Sequence, residues 1–123
     1  MKIPSGYQQL MPYLIVKDAA KFMLFLKTVF GAKEKSVMAD DHVIRHAEMT
    51  IGECTLMLAD AIEGYPPHPG GFFIYVENAD ETYRLALENG ATSLQAPSDK
   101  EYGRSCGICD PFGNNWWPTS SGQ

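Results

Sequence analysis

The sequence predicts an α+β fold in which two βαβββ repeats form a curved mixed sheet around a cavity, with the helices on its outer face. The first observation is an internal similarity, because residues 13–18 and 31–33 match residues 73–78 and 90–92 at a spacing of about 60 residues. The second is that each half contains a stretch with helical spacing followed by strand-like runs joined by tight turns. Two half-sheets, each covered by one helix, leave their other faces free to enclose a cavity.

Length and composition predict one globular domain over residues 1–123, with the first repeat at about 8–60 and the second at about 71–118. Hydrophobic residues make up 45% of the chain, which is enough for a core without disulfides. The formal net charge is -5, and no basic stretch could follow a phosphate backbone. We therefore expect no nucleic-acid partner.

Cysteine usage and hydropathy predict a cytoplasmic protein with no membrane partner. No apolar run approaches membrane-spanning length, and the residues after Met1 lack the apolar segment of a signal peptide. The three cysteines are an odd number, which favours a reducing compartment over a disulfide framework.

The first repeat begins after a loose N-terminal arm, residues 3–8. Asp18 opens its helix, and Gly31 ends it as a left-handed cap. The apolar face of the helix consists of Phe22, Phe25, Leu26, Val29 and Phe30. The predicted elements are a helix over 19–29 and strands over 10–16, 33–38, 42–51 and 54–59, with 39–41 and 52–53 as connections.

The second repeat follows a loop rich in proline and glycine, residues 60–70. Asn78 is expected to cap its helix, with Glu81 three residues later to close a capping box, and Gly90 to end it. The other predicted elements are strands over 72–76 and 92–96, a loop over 97–100 and a final hairpin over 102–118.

The final hairpin turns at residues 110–113. Pro111 pre-sets φ at the second turn position, Gly113 tolerates a positive φ, and the side chain of Asp110 can cap the turn. Trp116 and Trp117 then point to opposite faces of a strand. We expect Trp116 under the helix layer and Trp117 in the wall of a pocket.

Alternation along residues 42–51 places His46, Glu48 and Thr50 on the cavity side, opposite Ala47 and its apolar neighbours. His46 and Glu48 could share a proton or bind a polar ligand. They could equally form a hydrogen-bonded pair that satisfies two buried polar groups. His42 and His68 lie in loops, where we expect them to be solvated.

The same alternation gives one cavity-facing set of apolar side chains, namely Met11, Tyr13, Phe73, Tyr75 and Trp117. Aromatic and methionine side chains with few polar groups are typical of a small-molecule pocket, although a filled core between the half-sheets has the same composition. Arg104 lies in the final hairpin, before its turn. It either anchors an anionic ligand or pairs with a carboxylate.

Cys106 and Cys109 match a Cys-x-x-Cys motif. A redox motif of this kind opens a helix, which lowers the thiol pKa. Here the pair lies on a predicted strand, where positions three apart face opposite sides. We therefore expect two small buried or half-buried residues.

Motifs along nearly the whole chain resemble the vicinal oxygen chelate superfamily, which includes glyoxalase I, bleomycin-resistance proteins and extradiol dioxygenases, and within it the PhnB-like branch. The matching segments are residues 12–20, 30–32, 46–49, 51–52, 57–60, 90–92, 102–104 and 110–114, with Trp116. Together these segments are specific for the fold. They say little about function, because the superfamily hosts many chemistries and some pure binders.

The resemblance also implies where a metal would be bound. The ligand positions of metal-dependent members fall on Met11, Gly71, Trp117 and a position near Leu56. None of these is a histidine or a carboxylate, the ligands that divalent cations of this superfamily require. We therefore expect no metal at the family position and no cofactor.

The leading hypothesis is a metal-free small-molecule-binding protein that sequesters or senses a small organic ligand. The predicted pocket residues are Met11, Tyr13, His46, Glu48, Phe73, Tyr75, Arg104 and Trp117. One alternative is a metal-dependent lyase or dioxygenase with a metal relocated to His46 and Glu48, and another is a metal-free enzyme with one of these two as general base. The resemblance and the unpaired sheet edges together predict a homodimer.

Overall fold

The computed structural model describes residues 1–121, and its contacts divide the chain into two compact units at His68 and Pro69. Each unit contains one βαβββ repeat around one four-stranded mixed sheet. The repeated order of elements that the sequence predicts is therefore confirmed.

The first unit has a sheet of order β1-β4-β3-β2, with β1 parallel to β4 and the other pairs antiparallel. Its elements are β1 (Tyr13–Val16), α1 (Ala19–Phe30), β2 (Lys33–Asp40), β3 (Val43–Ile51) and β4 (Cys54–Asp60). Helix α1 covers one face of this sheet and packs against β1, β3 and β4. The buried residues of this layer include Phe22, Leu26, Ala47, Met49 and Leu58.

The second unit repeats this plan, with a sheet of order β5-β8-β7-β6 in which β5 is parallel to β8. Its elements are β5 (Gly71–Tyr75), α2 (Ala79–Glu88), β6 (Thr92–Lys100), β7 (Gly103–Cys109) and β8 (Asn115–Ser120). Helix α2 packs against β6, β7 and β8. Trp116 lies in this layer with 2% of its surface exposed, so the prediction that it belongs to the core is confirmed.

The last strand of each unit fixes the start of the unit's helix. Asp60 ends β4 and accepts hydrogen bonds from the backbone N–H groups of Ala19 at 2.6 Å and Ile44 at 2.7 Å. Ser120 ends β8, and its hydroxyl accepts from the N–H of Ala79 at 2.6 Å. The first N–H groups of a helix have no partner within it, so both bonds satisfy a donor that would otherwise be unpaired.

The turn before β8 is organised by Asp110, as the sequence predicts. One carboxylate oxygen accepts from the N–H groups of Phe112 at 2.8 Å and Asn114 at 3.0 Å. The other accepts from the indole N–H of Trp116 at 2.8 Å. This buried carboxylate therefore links the turn to the core tryptophan, which packs against Phe72 with ring centroids 4.6 Å apart.

The predicted first strand, residues 10–16, starts too early. Strand β1 begins at Tyr13, and Leu10 is 86% exposed. Pro12 has no N–H to donate to a sheet, and its carbonyl makes one isolated bond with the N–H of Met57 at 2.9 Å.

The predicted loop at residues 97–100 is also wrong, because β6 continues to Lys100. Strand β6 lies at the edge of its sheet, and its pairing register shifts between Gln95 and Ser98. Pro97 lies inside this irregular stretch. A proline is tolerated in an edge strand at such a point because its missing N–H breaks no regular ladder bond.

Two predicted connections differ in detail. The hairpin between β2 and β3 turns at Asp41 and His42, both with positive φ, and not at residues 39–41. Helix α2 ends at Glu88 with Asn89 as its C-cap, one residue before the expected Gly90. The other predicted boundaries agree within one or two residues.

The capping box of α2 is only half formed. The side chain of Asn78 accepts from the N–H of Glu81 at 3.1 Å, so the predicted N-cap is confirmed. The carboxylate of Glu81 instead accepts from Arg84 one turn later, at 2.6 Å. The reciprocal bond back to Asn78 is thereby replaced by an ion pair on the helix surface.

Candidate functional site

The predicted pocket residues divide between the two units. Met11, Tyr13, His46 and Glu48 belong to the first, and Phe73, Tyr75, Arg104 and Trp117 belong to the second. The two units present different chemistry on the sheet face that their helix leaves uncovered.

In the first unit, four polar side chains form one hydrogen-bonded chain. Strand pairing sets Glu48 beside Met57 and Met57 beside Tyr13, and His46 lies two residues before Glu48 on the same face. Tyr13 bonds His46 Nδ1 at 2.9 Å, and His46 Nε2 lies 2.8 Å from one oxygen of Glu48. Tyr7 donates to the other oxygen at 2.5 Å. Of the two readings left open for His46 and Glu48, the hydrogen-bonded pair is present.

The donors and acceptors of this chain match if His46 is neutral and carries its proton on Nε2. Tyr13 then donates to Nδ1, Nε2 donates to Glu48, and Tyr7 donates to Glu48. The hydrogen bonds from Tyr7 and then His46 hold the pKa of Glu48 below its usual value, because both favour the ionised carboxylate. The bond to Glu48 raises the pKa of Tyr7, and burial with the charge of Glu48 raises the pKa of Tyr13.

The N-terminal arm is held in place, which corrects the expectation of a loose segment. Lys35 Nζ donates to the carbonyl of Gly6 at 2.8 Å and lies 3.5 Å from the centroid of the Tyr7 ring. The hydroxyl of Thr55 donates to the same carbonyl at 2.7 Å. Gln8 pairs with the backbone of Thr55 through both its amide nitrogen and its amide oxygen. The arm thereby places Tyr7 over Glu48.

Two cavities lie beside the polar chain, both within the first unit. One of about 510 Å³ lies under the arm, and Tyr7, Met11, Glu48 and Met57 are among its lining residues. The other, of about 420 Å³, is lined by Tyr13, Ile15, Ile44, Arg45, Ala59, Asp60, Ile62 and Tyr65. Of the predicted residues in this unit, Met11 and Glu48 line the first cavity and Tyr13 lines the second.

In the second unit, the uncovered face is aromatic. Phe73 and Trp117 are register partners on β5 and β8. The ring centroid of Phe73 lies 5.2 Å from that of Tyr75 and 6.0 Å from that of Tyr102. Phe73 is 52% exposed and Tyr75 is 65% exposed, so large apolar surface is open to solvent here.

Two glycines give the indole of Trp117 its place on this face. A Cβ atom at Gly107 would lie 3.1 Å from the indole nitrogen, and one at Gly71 would lie 3.4 Å from the far edge of the ring. The indole therefore lies across the backbone of both neighbouring strands. A side chain at Gly107 would crowd the ring, because its Cβ atom alone would already be in tight contact with the indole.

Arg104 does not share this face, which corrects its assignment to the pocket. Its guanidinium bonds both carboxylate oxygens of Asp80 on α2, at 3.1 and 3.2 Å, and one oxygen of Asp99 at 3.3 Å. Arg104 pairs in register with Ser120, whose side chain also reaches α2. The carboxylate-pairing alternative is the one present, and it raises the pKa of Arg104 and lowers that of Asp80.

The surroundings of Cys106 and Cys109 are typical of structural cysteines and not of reactive thiols. Cys106 is fully buried, and burial raises the pKa of its thiol to about 11, which keeps it protonated. Cys109 is half-buried on the opposite side of β7, as the strand assignment predicts. Cys54 is exposed, and all three are free thiols.

The family metal position does not fit the residues present. Met11 offers only a thioether, Gly71 has no side chain, and the indole of Trp117 lies against Gly71. Leu56 pairs with buried Met49 on the helix-covered face, so its side chain does not point to the open face. Over residues 1–121, His, Cys, Asp and Glu side chains form no group of three that could hold a metal ion.

Sequence reasoning missed Tyr7, Lys35 and Gly107. Tyr7 and Lys35 carry no motif, and Tyr7 meets Glu48 across 41 residues of sequence. Gly107 had a usable signal, because a glycine inside a strand often marks the close approach of another group.

Comparison with known proteins identifies relatives along almost the whole chain. The family model described as the Glyoxalase/Bleomycin resistance protein/Dioxygenase superfamily matches residues 7–117. Uncharacterized protein Mb0911c of Mycobacterium bovis is 32% identical over 120 residues, covering 87% of this chain and 79% of that protein.

Solved structures share the fold. TioX from Micromonospora sp. ML1 matches with a TM-score of 0.76 at 23% identity, over 93% of this chain and 98% of its own. TnmS3, described as an antibiotic binding protein from Streptomyces sp. CB03234, matches with a TM-score of 0.69 at 18% identity, over 94% and 98% of the two chains. In the part of the chain that the structure describes, neither helix is long and apolar enough to span a membrane.

Proposed function

The chain belongs to the Glyoxalase/Bleomycin resistance protein/Dioxygenase superfamily, and on that basis we propose that it is a metal-free small-molecule-binding protein that sequesters or senses an organic ligand. The observation that carries the proposal is the aromatic face of the second unit. Phe73, Tyr75 and Trp117 lie together on one side of the sheet, and the first two are more than half exposed.

An exposed group of aromatic rings on a rigid sheet is suited to a planar aromatic ligand. The indole of Trp117 is supported from below by the backbone at Gly71 and Gly107 and needs no rearrangement to accept a stacked ring. Aromatic pairs contribute roughly 0.5–1.5 kcal/mol beyond the area they bury. That TnmS3 is described as an antibiotic binding protein is consistent with binding of an organic molecule on this fold.

The test is a titration with 2-naphthol, a small planar aromatic probe, and with decahydro-2-naphthol, its saturated counterpart. Binding is followed by tryptophan fluorescence and by calorimetry. We expect 2-naphthol to quench the fluorescence and to bind more tightly than the saturated alcohol. Trp117→Ala should abolish the quenching, because Trp116 is buried on the other face.

The matched control is Leu87→Ala, which removes an exposed apolar side chain from α2 and should leave binding unchanged. Equal affinity for the two alcohols, or unchanged quenching in Trp117→Ala, would show that the aromatic face is not the binding surface.

A second candidate is metal-free acid–base catalysis, and the observation that favours it is the chain Tyr13–His46–Glu48. A hydroxyl, an imidazole and a carboxylate in series are the components of a proton relay. Isomerisation of α-ketoaldehyde hemithioacetals, a redox-neutral proton transfer, that is lost in His46→Gln would support catalysis over binding. Retention of about one metal per chain that is lost in Glu48→Ala would instead support a metal at His46 and Glu48.

The binding protein is proposed to act as a homodimer in the cytoplasm. Strand β2 is exposed along its whole length at the edge of its sheet, with Val37 and Met38 among the exposed apolar residues. Such an edge pairs readily with another chain. The free thiols, including exposed Cys54, suit a reducing compartment. Sedimentation at micromolar concentration should give a dimer, and a monomer would contradict this assembly.

A further inference from the structure

The cavity under the N-terminal arm is a site that the aromatic face does not involve. Its volume of about 510 Å³ lies in the usual range for small-molecule pockets. Its roof is the arm, which the bonds of Lys35, Thr55 and Gln8 hold on the sheet. The cavity is therefore a cleft, open to solvent, whose roof is a fastened segment of the chain.

Glu48 is the anionic group in the wall of this cavity. Its side chain is almost fully buried, with 7% of the residue exposed, and each carboxylate oxygen accepts one hydrogen bond. A carboxylate can accept about two bonds at each oxygen. Glu48 therefore keeps acceptor capacity for a further donor, and the bonds from Tyr7 and His46 keep it ionised by lowering its pKa.

The remaining wall is mainly apolar. Met11 and Met57 contribute flexible thioether side chains, which adapt to irregular ligands, and Ile3 contributes an aliphatic side chain from the arm. Lys2 also lines the cavity, but it is exposed, so solvent screens its charge more than that of buried Glu48. The cavity therefore combines one buried anion with an adaptable apolar surface.

We infer that this cavity binds a primary ammonium group carried on a short apolar chain, with the ammonium donating to Glu48 and the chain packing against Met11 and Met57. An ammonium has three donors and no acceptor, which suits a carboxylate that can only accept. A carboxylic acid ligand would be repelled, and an alcohol would lose the charge attraction. The inference extends the proposed small-molecule binding to a second surface and holds or fails independently of Trp117.

The first test uses the unmodified protein with labelled methionine methyl groups, observed by NMR. The probes are hexylammonium, hexan-1-ol and hexanoate, which share one chain and differ in the head group. Hexylammonium should shift the Met11 and Met57 signals and leave exposed Met38 on β2 unchanged. Hexanol should bind about tenfold more weakly, because hydrogen bonds to charged groups are the stronger ones. Hexanoate should produce no shift.

Equal responses to hexanol or hexanoate, a shift of Met38 with the others, or no response at all would each overturn the inference. The second test is Glu48→Gln, which keeps the shape and removes the charge, and it should weaken hexylammonium binding about tenfold. Its control is Glu34→Gln, an exposed carboxylate on β2 paired with Lys27, which should change nothing.

Wild-type affinity in Glu48→Gln would also contradict the site. If Glu48→Gln does not fold, the three-probe series on the unmodified protein decides the question. Trp117→Ala separates the two proposals, because it should abolish the response to 2-naphthol and leave the response to hexylammonium intact.

Discussion

The two units share one backbone plan but carry opposite chemistry on the face that their helix leaves uncovered. In the first unit, Tyr13 pairs with Met57, and the next strand places Glu48 beside Met57. In the second, Phe73 pairs with Trp117, and the indole lies against Gly107 of the next strand. A polar chain in one unit thus corresponds to an aromatic surface in the other.

This difference shows how the same sheet can support either kind of surface. A buried carboxylate needs partners for its oxygens, so Glu48 is accompanied by His46 and by Tyr7 from the arm. An indole needs space and a flat support, which the glycines Gly71 and Gly107 provide on the two neighbouring strands. The scaffold sets the positions, and the side chains with their immediate partners set the chemistry.

The largest expected effect is the difference in stability between substitutions on the two faces of β8. Trp116→Ala should lower the free energy of unfolding by about 3–5 kcal/mol, because it empties a buried volume and removes one hydrogen bond to the buried carboxylate of Asp110. Trp117→Ala should cost about 1–2 kcal/mol, because its ring is open on one side. Urea unfolding of both variants measures the difference. The reverse ranking would show that the two faces are exchanged.

The next effect compares the two bonds that hold the helix starts. Asp60→Ala should cost about 2–3 kcal/mol, because two backbone N–H groups lose their acceptor. Ser120→Ala should cost about 1 kcal/mol, because one N–H loses its acceptor. Thermal unfolding would rank the variants, with exposed Glu63→Ala as a control. Equal losses would mean that the second bond of Asp60 contributes nothing.

A smaller effect tests the polar chain through its pH dependence. Glu48→Gln should cost about 1–2 kcal/mol near neutral pH, because two hydrogen bonds lose their charged acceptor. The pKa of Glu48 is lowered in the folded protein, so its stabilisation is present above the unfolded value, near 4.5, and is lost as pH falls through the folded value.

Urea midpoints of the wild type and Glu48→Gln should therefore differ at neutral pH and converge in acid. A difference that persists at low pH would mean that the ionised carboxylate is not what stabilises the chain. The aromatic face of the second unit should show no such dependence, and Trp117→Ala serves as the control for it.

The smallest effect concerns the ion pair between β7 and α2. Arg104→Ala should change stability only slightly, because Arg104, Asp80 and Asp99 are all substantially exposed. The loss should shrink further in high salt, which screens exposed charges. Binding of 2-naphthol should be unaffected, since Arg104 lies on the helix side. Reduced binding of 2-naphthol by this variant would show that Arg104 contributes to the binding site after all.

The sequence by itself determined the parts of this protein that depend on local chemistry. The left-handed cap at Gly31 and the turn at Asp110 follow from residues within a few positions of one another. The two repeats follow from a similarity between two stretches of sequence, which needs no knowledge of packing. Strand alternation correctly separated Trp116 from Trp117 and placed His46 and Glu48 on one face, because a period of two is a property of the extended backbone.

Only the tertiary structure decided which distant groups meet. Tyr7 in the N-terminal arm reaches Glu48 across 41 residues, and Arg104 on β7 reaches Asp80 on α2 across 24. Both contacts depend on tertiary packing that no local pattern specifies. A local pattern fixes the direction of a side chain relative to its own backbone, whereas the partner it meets depends on how separate segments pack.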